Sequence, residues 1–375
     1  MCGKNSCHNL YTRIKYCTTG KLRSVGGGGY TPIKSFMKKF THTFEDIISI
    51  ENLLEAWREF VCGKRNRCDV QEFHFNLMDN IFSLHSDLAN HTYKHGPYQG
   101  FSIWDPKPRS IHKASIRDRL VHHAVYRVLY PFFDKIFISD SFSCRFKKGT
   151  HKSLNRFRLF SYTVSKNNTQ TCWILKCDLK KFFATIDQTI LINILEKCIT
   201  DKSIIWLLKE IISSFSSMRT GVGLPLGNLT SQLLVNIYMN EFDQFIKHGL
   251  GVKYYIRYAD DFVILLNNKN SLQQQIGPIK EFIEQKLKLT IHPDKIFIKT
   301  LASGLDFLGW IHFSDHRILR TSTKRRMFKK LKENYKSGAI ESYKGLLKHG
   351  NTHNIFLYQP FIDYKFKAGY HLSSL

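Results

Sequence analysis

Two adjacent carboxylates, Asp260 and Asp261, lie inside Tyr254-Tyr-Ile-Arg-Tyr-Ala-Asp-Asp-Phe-Val-Ile-Leu-Leu266. A third, Asp178, closes the apolar run Cys172-Trp-Ile-Leu-Lys-Cys-Asp178. Carboxylates gathered at the rim of apolar segments repel one another, and a hard divalent cation relieves that repulsion. Three acids from two elements suit a pair of Mg²⁺ ions, the arrangement for in-line phosphoryl displacement by a sugar hydroxyl. Aspartate is also an ordinary turn and cap residue, and Asp187 reads as the cap of a following helix.

The β-prone residues around Asp260 and Asp261 predict a hairpin with the acids at its turn. Residues 172–178 predict a buried strand that stops at Asp178. Between these elements, Gly221-Val-Gly-Leu-Pro-Leu-Gly-Asn-Leu-Thr-Ser-Gln232 predicts a loop that other groups can approach closely. An amphipathic helix through Leu233, Leu234, Ile237, Tyr238 and Phe242 follows it. Upstream, Pro106 and Pro108 predict an extended stretch, and Arg109, Lys113, Arg117 and Arg119 then recur every few residues. With the basic, aromatic segment 141–152, they read either as a charged outer face or as a grip on triphosphate and template, because guanidinium forks match phosphate oxygens. Phe44, Ile47, Ile48, Leu53, Leu54 and Trp57, and then Phe75, Leu77, Met78, Ile81, Phe82 and Leu84, recur at helical spacings and read as core faces.

The 375 residues, 43% hydrophobic, can bury one large core or two to three subdomains. Lys+Arg 56 against Asp+Glu 30 gives a net charge of +26, which points to a polyanion: nucleic acid first, an anionic membrane surface second. No stretch is apolar enough to span a bilayer and no signal-peptide core follows Met1, so a cytoplasmic location without a membrane partner is expected. Nine scattered cysteines predict reduced thiols. The first 44 residues hold eight Lys/Arg and no acid, which predicts a basic arm along phosphates. Cys2, Cys7, His8 and Cys17 lack the Cys-x-x-Cys spacing of a zinc site.

The order of motifs resembles a reverse transcriptase. Basic residues precede Asp178 with Phe182-Phe183; Leu224-Pro225-x-Gly227, Tyr258-Ala-Asp-Asp261, His292-Pro-Asp-Lys295 and Leu308-Gly309-Trp310 follow. The resemblance runs from Trp104 to about Phe313. Within the family, Leu226-Gly-Asn-Leu-Thr-Ser-Gln232 most resembles the enzymes of diversity-generating retroelements. The alternatives are a phage-defence or group II intron maturase-like reverse transcriptase and a non-catalytic RNA-binding scaffold; the intact acids and Phe183 oppose the last.

The resemblance implies an α+β right-hand polymerase with an antiparallel palm sheet, basic fingers and a short helical thumb. Its expected divisions are a basic arm at 1–44, a helical region at 45–103, fingers at 104–171, a palm at 172–313 with a fingers insertion near 200–221, and a reduced thumb at 314–375. It implies cDNA synthesis from an RNA template, a DNA or RNA primer and dNTPs, with two Mg²⁺ ions that Mn²⁺ can replace. A small basic accessory protein and a bacterial or phage source are further expectations. Asp178, Leu179, Asp260 and Asp261 would hold metal, and Phe183 would exclude a ribose 2′-hydroxyl. Arg109, Lys113, Arg117, Leu226, Gly227, Gln232 and Lys295 would surround the nucleotide, and Leu308, Gly309 and Trp310 would seat the primer end. Leu226 replaces a family Gln, which implies error-prone synthesis. Residues 317–350 hold eleven Lys/Arg against two acids, and Met327, Phe328, Leu331 and Tyr335 form one stripe, as expected of a thumb along duplex phosphates.

Overall fold

The computed structural model describes residues 39–352 apart from 105–107, 218 and 334–336. Most of the expected basic arm, with Cys2, Cys7, His8 and Cys17, therefore lies outside the described residues, as do Pro106 and Tyr335. The architecture is α+β, with helices on both sides of an antiparallel sheet.

The first helices form where the apolar spacing predicts them. Ser49 accepts from the Asn52 amide and starts Ile50–Phe60, whose Leu53, Ala56, Trp57 and Phe60 are buried. Of the second expected face, Ile81 and Leu84 are buried, but Phe75 is 88% exposed and Met78 and Phe82 also face outwards. Met78 and Phe82 stand on the outer edge of the helix that buries Ile81 and Leu84, and for Phe75 the reason is a break in phase. One helix, Cys68–Phe75, ends at Asn76 and another, Leu77–Ala89, restarts, so a single 3.6-residue stripe cannot run through both.

Two strands, β1 (Gln99–Trp104) and β2 (Pro108–Lys113), pair antiparallel as a ribbon, and β1 runs across the expected 103/104 boundary. The helix Ile116–Asp134 follows, capped by Ser115, with Leu120, Val121, Ala124, Val125 and Leu129 buried.

The central sheet has β3 (Trp173–Asp178) in its middle. It is flanked by β5 (Asp261–Leu266) and β6 (Phe297–Thr300), with β4 (Tyr255–Tyr258) outside β5, all antiparallel. Period-2 alternation gives the sheet two faces. Leu175, Cys177, Tyr255, Phe262 and Ile264 join the larger core with the helices Gln188–Cys198 and Leu229–Gln244. Ile174, Ile256, Val263 and Leu265 point the other way, into a second core with the helix Thr150–Val164. A small antiparallel sheet of β7 (Leu305–Phe307), β8 (Trp310–His312) and β9 (Arg317–Leu319) completes that second core.

Residues 200–221 contain the helix Lys202–Ser213, with Ile204, Leu207, Leu208, Ile211 and Ile212 buried. Its cap Asp201 also accepts from the Phe44 amide at 2.9 Å, so this segment is joined to the N-terminal helices. After β9 come Thr321–Glu333 and Ser337–Leu347; Met327 and Leu347 are buried against the second core, with Phe328 and Leu331 partly so. Among the described residues no helix is long and apolar enough to cross a membrane.

Candidate active site

The three acids meet because of strand register. Asp178, the last residue of β3, is the cross-strand partner of Asp261, the first of β5. Directly paired residues project to the same face, so the two carboxylates are neighbours. Asp260 stands one residue earlier, in the two-residue turn Ala259-Asp260 that joins β4 to β5, with Ala259 in the left-handed region at φ 55°. The turn is anchored from outside its own hairpin: the Leu179 N–H donates to the Asp260 carbonyl at 3.2 Å. On the opposite edge, the His292 amide donates to the Asp178 carbonyl at 2.8 Å.

Two lysines neutralise this cluster. Lys295 Nζ donates to Asp178 Oδ2 at 2.5 Å from the single turn Pro293–Lys295. Lys176 Nζ lies 3.2 Å from Asp261 Oδ2 and donates to the Asp306 carbonyl at 2.8 Å, tying β7 to β3. Burial, and then the charge of Asp178, raises the Asp260 carboxyl above its usual range, while Lys295 and Arg109 partly offset this. Asp261 is pushed up to about 7, chiefly by burial and further by its two carboxylate neighbours, against the pull of Lys176. Its Oδ1 is buried without a hydrogen-bond partner. Among the described residues no three His, Cys, Asp or Glu side chains stand close enough to hold a metal as they are. The donor set nevertheless fits a hard divalent cation: mutually repelling carboxylates, one with an orphaned oxygen, opposed by lysines a cation could replace.

Beneath the turn lies a charge pair that sequence reading missed. Arg257, fully buried in β4, makes a two-pronged contact with buried Asp243, Nε to Oδ1 and Nη2 to Oδ2, each at 2.7 Å. Tyr255 donates to the same Asp243 Oδ1 at 2.7 Å. The remaining guanidinium hydrogens reach Asn236 Oδ1 at 3.3 Å, Ser141 Oγ at 3.1 Å and, at 3.1 Å, the carbonyl of Ala259 in the turn itself. The signal was present, since one cation inside Tyr-Tyr-Ile-Arg-Tyr must be paired if that strand is buried. Lys176 could have been found the same way: two residues before Asp178, it shares its face of β3.

The segment 221–232 is fastened on two sides. The Leu224 amide donates to the Phe183 carbonyl and the Gly223 amide to the Ile186 carbonyl, both at 2.8 Å. Gln188 Nε2 reaches the carbonyls of Ile212, Phe215 and Gly223 within 2.9 Å. On the ribbon side, the His112 amide donates to the Leu226 carbonyl at 2.9 Å, and Asn228 Nδ2 donates to the His112 carbonyl at 3.0 Å. Gly227 has φ 114°, and a Cβ there would sit 2.8 Å from Ile111 Cγ2, so glycine is required by both backbone and space. Leu226 is half-buried, Gly227 exposed, and Gln232 half-buried in the first turn of the helix Leu229–Gln244.

Of the basic residues expected around a nucleotide, Lys295 contacts the acids directly, and the charge of Arg109 acts on Asp260 without a hydrogen bond or ion pair to it. Lys113 and Arg117 turn away: Lys113 Nζ pairs with Asp69 Oδ2 at 2.7 Å and Arg117 Nη2 with Asp87 Oδ2 at 2.5 Å. Both acids lie on the N-terminal helical region, which packs against this end of β2. Phe183 is half-buried beside Phe182, ring centroids 5.6 Å apart. Leu308 and Gly309 form the β7–β8 turn with positive φ, and Trp310 is buried below it.

The family model described as reverse transcriptase (RNA-dependent DNA polymerase) matches residues 99–312, more than half of the chain. Protein YkfC of Escherichia coli (strain K12) is 26% identical over 256 residues, covering 57% of this chain and 64% of that protein. The group II intron-encoded protein LtrA of Lactococcus lactis subsp. cremoris is 24% identical over 302 residues, covering 63% of this chain and 48% of LtrA. The chain thus spans about half to two thirds of these relatives. Among solved structures, telomerase from Candida albicans in complex with a fragment of telomeric RNA aligns with TM-score 0.46 at 12% identity, over 62% of this chain and 48% of that one.

Proposed function

The chain belongs to the reverse transcriptase (RNA-dependent DNA polymerase) family, and from that premise we propose that it extends a primer with deoxynucleotides along an RNA template. The observation that carries this reading is the Asp178–Asp261 cross-strand pair with Asp260 at the adjoining turn. These are three acids at the end of one sheet, as the chemistry of phosphoryl transfer requires. Two Mg²⁺ ions held by Asp178, Asp260, Asp261 and the Leu179 carbonyl would supply the positive charge that phosphoryl transfer needs.

The protein's own part is positioning and charge. The Leu179–Asp260 backbone bond and the Arg257–Ala259 contact hold the turn before any substrate arrives. Lys295, which donates to Asp178, would meet charge developing on a leaving pyrophosphate, and exposed Arg109 would meet the triphosphate. Phe183, tied through its carbonyl to the loop that carries Leu226, would form the floor under the sugar. Extension of a primer on an RNA template by the purified chain, with dNTPs and Mg²⁺, is the expected result. A folded chain that binds RNA without extending any primer would leave the scaffold reading.

Within the family, the similarity to LtrA supports a group II intron-encoded type of enzyme. A second reading, an error-prone enzyme of a diversity-generating retroelement, rests on Leu226-Gly-Asn-Leu-Thr-Ser-Gln232. A Leu cannot hydrogen-bond a base pair as the family Gln can, so discrimination between right and wrong pairs would fall. Sequencing cDNA made by the parent and by Leu226→Gln separates the two: a parent with few errors and no change on substitution removes the second reading.

A further inference from the structure

Lys176 stands on β3 two residues before Asp178, on the face that carries Ile174 into the second core. Its side chain is only 12% exposed, so the ammonium must find partners inside the protein. It finds them on two different sheets: Asp261 Oδ2 at 3.2 Å on β5, and the Asp306 carbonyl at 2.8 Å on β7. Nζ also lies over the ring of buried Phe307, 5.8 Å from its centroid. Among the described residues, no other side chain bonds both to one of the three acids and to the β7–β9 sheet.

Asp306 carries the connection further. Its carboxylate accepts from Arg320 Nη2, and the Arg320 amide donates to the Gly309 carbonyl at 3.1 Å, in the β7–β8 turn. The Arg320 carbonyl accepts from the Lys324 amide at 2.9 Å, in the first turn of the helix Thr321–Glu333. One run of bonds thus leads from Asp261 through Lys176, Asp306 and Arg320 to the Leu308–Gly309 turn. A displacement of about 1 Å between catalytic groups and a reacting end is enough to cost roughly 10²-fold in rate.

We propose that Lys176 is a positioning residue: through Asp306 and Arg320 it sets the place of the β7–β8 turn relative to Asp261, and so aligns a primer end with the acids. This rests on the polymerase reading and on Leu308 and Gly309 seating that end. The tie between the sheets is a property of the folded chain alone. Lys176 also neutralises Asp261, and the two roles make different forecasts for Asp306. Neutralisation has no need of the Asp306 carboxylate, whereas the relay runs through it.

The test is a double-mutant cycle in the full chain with Lys176→Met and Asp306→Ala. Alanine keeps the carbonyl at position 306 and removes only the carboxylate that holds Arg320. Single-nucleotide extension is followed on saturating template–primer, with the active fraction taken from the pre-steady-state burst. A fall in kcat of about 10²-fold is expected for Lys176→Met and of about tenfold for Asp306→Ala. KM for dNTP should change by less than about threefold in either. The double variant should lose no more than Lys176→Met alone, because both changes cut one chain of contacts. Losses that multiply, to about 10³-fold, would overturn the proposal and leave Lys176 a counter-charge or a stabilising residue. Unchanged kcat in folded Lys176→Met would overturn it as well.

Amide hydrogen exchange gives a second readout, without nucleotide, metal or catalysis. Residues 305–312 should exchange about tenfold faster in Lys176→Met, with the helix Lys202–Ser213 as protected as before. Equal protection at 305–312 would overturn the relay even in an active enzyme, and faster exchange throughout the chain would reduce Lys176 to a structural role. A wild-type chain that extends no primer removes the polymerase reading alone, and the exchange result then decides the tie by itself.

Discussion

The backbone N–H of Leu179 donates to the carbonyl of Asp260 at 3.2 Å, so the residue that follows one acid secures the turn that bears another. That bond contains no carboxylate atom. Asp178→Asn and Asp260→Asn should therefore leave the turn in place and remove only charge. Primer extension on RNA is expected to fall by roughly 10²-fold or more in each variant, with unfolding close to wild type. Extension assays beside circular-dichroism melts check both halves, and near-wild-type activity in either folded variant would sink the catalytic assignment.

Arg257 makes a stability prediction of a different size. Its guanidinium and Asp243 are both fully buried, and removing one partner leaves the other charge uncompensated. Arg257→Met and Asp243→Asn should each cost about 3–5 kcal/mol in urea unfolding. Arg257→Lys keeps the charge but loses the fork to Asp243 and the hydrogen bond to the Ala259 carbonyl, so it should fold better than Arg257→Met and still lose activity. Equal stability of Arg257→Met and wild type would contradict the pairing.

Phe183 is half-buried, with its carbonyl fixed by the Leu224 amide, so shortening its side chain opens space without freeing the backbone. Phe183→Val is expected to raise the ratio of ribonucleotide to deoxynucleotide incorporation. Single-nucleotide extension with paired rNTP and dNTP gives that ratio directly; an unchanged ratio would make Phe183 a packing residue only.

Stability should also depend on pH, with a sign that can be worked out. Burial lowers His122 and His312 to about 3 and His123 to about 4, with nearby cations and imidazoles adding to the effect. Each such group is neutral when folded yet takes up roughly one proton when unfolded below pH ~6.5, so its contribution is present above that value and is lost as pH falls. The raised carboxyls of Asp260 and Asp261 act in the opposite direction, since the folded state holds their protons more tightly. Three imidazoles against two carboxyls predict a net decline from pH 7 to 5, steeper in Asp261→Asn. Denaturant midpoints across that range test it, and a shallower decline in the variant would be the wrong sign.

Gly227→Ala places a Cβ 2.8 Å from Ile111 Cγ2 on a backbone with φ 114°. The strain should cost about 1–3 kcal/mol and push the ribbon from the loop. A rise in KM for dNTP larger than the fall in kcat is expected from steady-state kinetics. Unaltered kinetics would mean the ribbon does not face the nucleotide.

The elements carrying the acids were legible because alternation and a strand-end carboxylate are local properties. The Tyr254–Leu266 hairpin and the β3 end stand where the spacing placed them. Partners were not legible. Arg109, Lys113 and Arg117 look equivalent along the chain, and only the approach of Asp69 and Asp87 in space separates the first from the other two. Arg257 stood in plain view, but its partner Asp243 lies fourteen positions earlier on a helix whose packing no motif reveals. Phe75 failed for a local reason, the helix break at Asn76, whereas Met78 and Phe82 share one helix with Ile81 and Leu84 and stand on its outer edge, a side that spacing alone does not choose.

The ribbon is joined to the 221–232 segment through the amide and carbonyl of His112, the carbonyl of Leu226 and one side-chain amide, that of Asn228. Neither the imidazole of His112 nor the isobutyl group of Leu226 takes part in those bonds. The side chain at position 226 can therefore drift through evolution while the joint keeps its hydrogen bonds. A lineage could change what this position discriminates without rebuilding the scaffold that presents it.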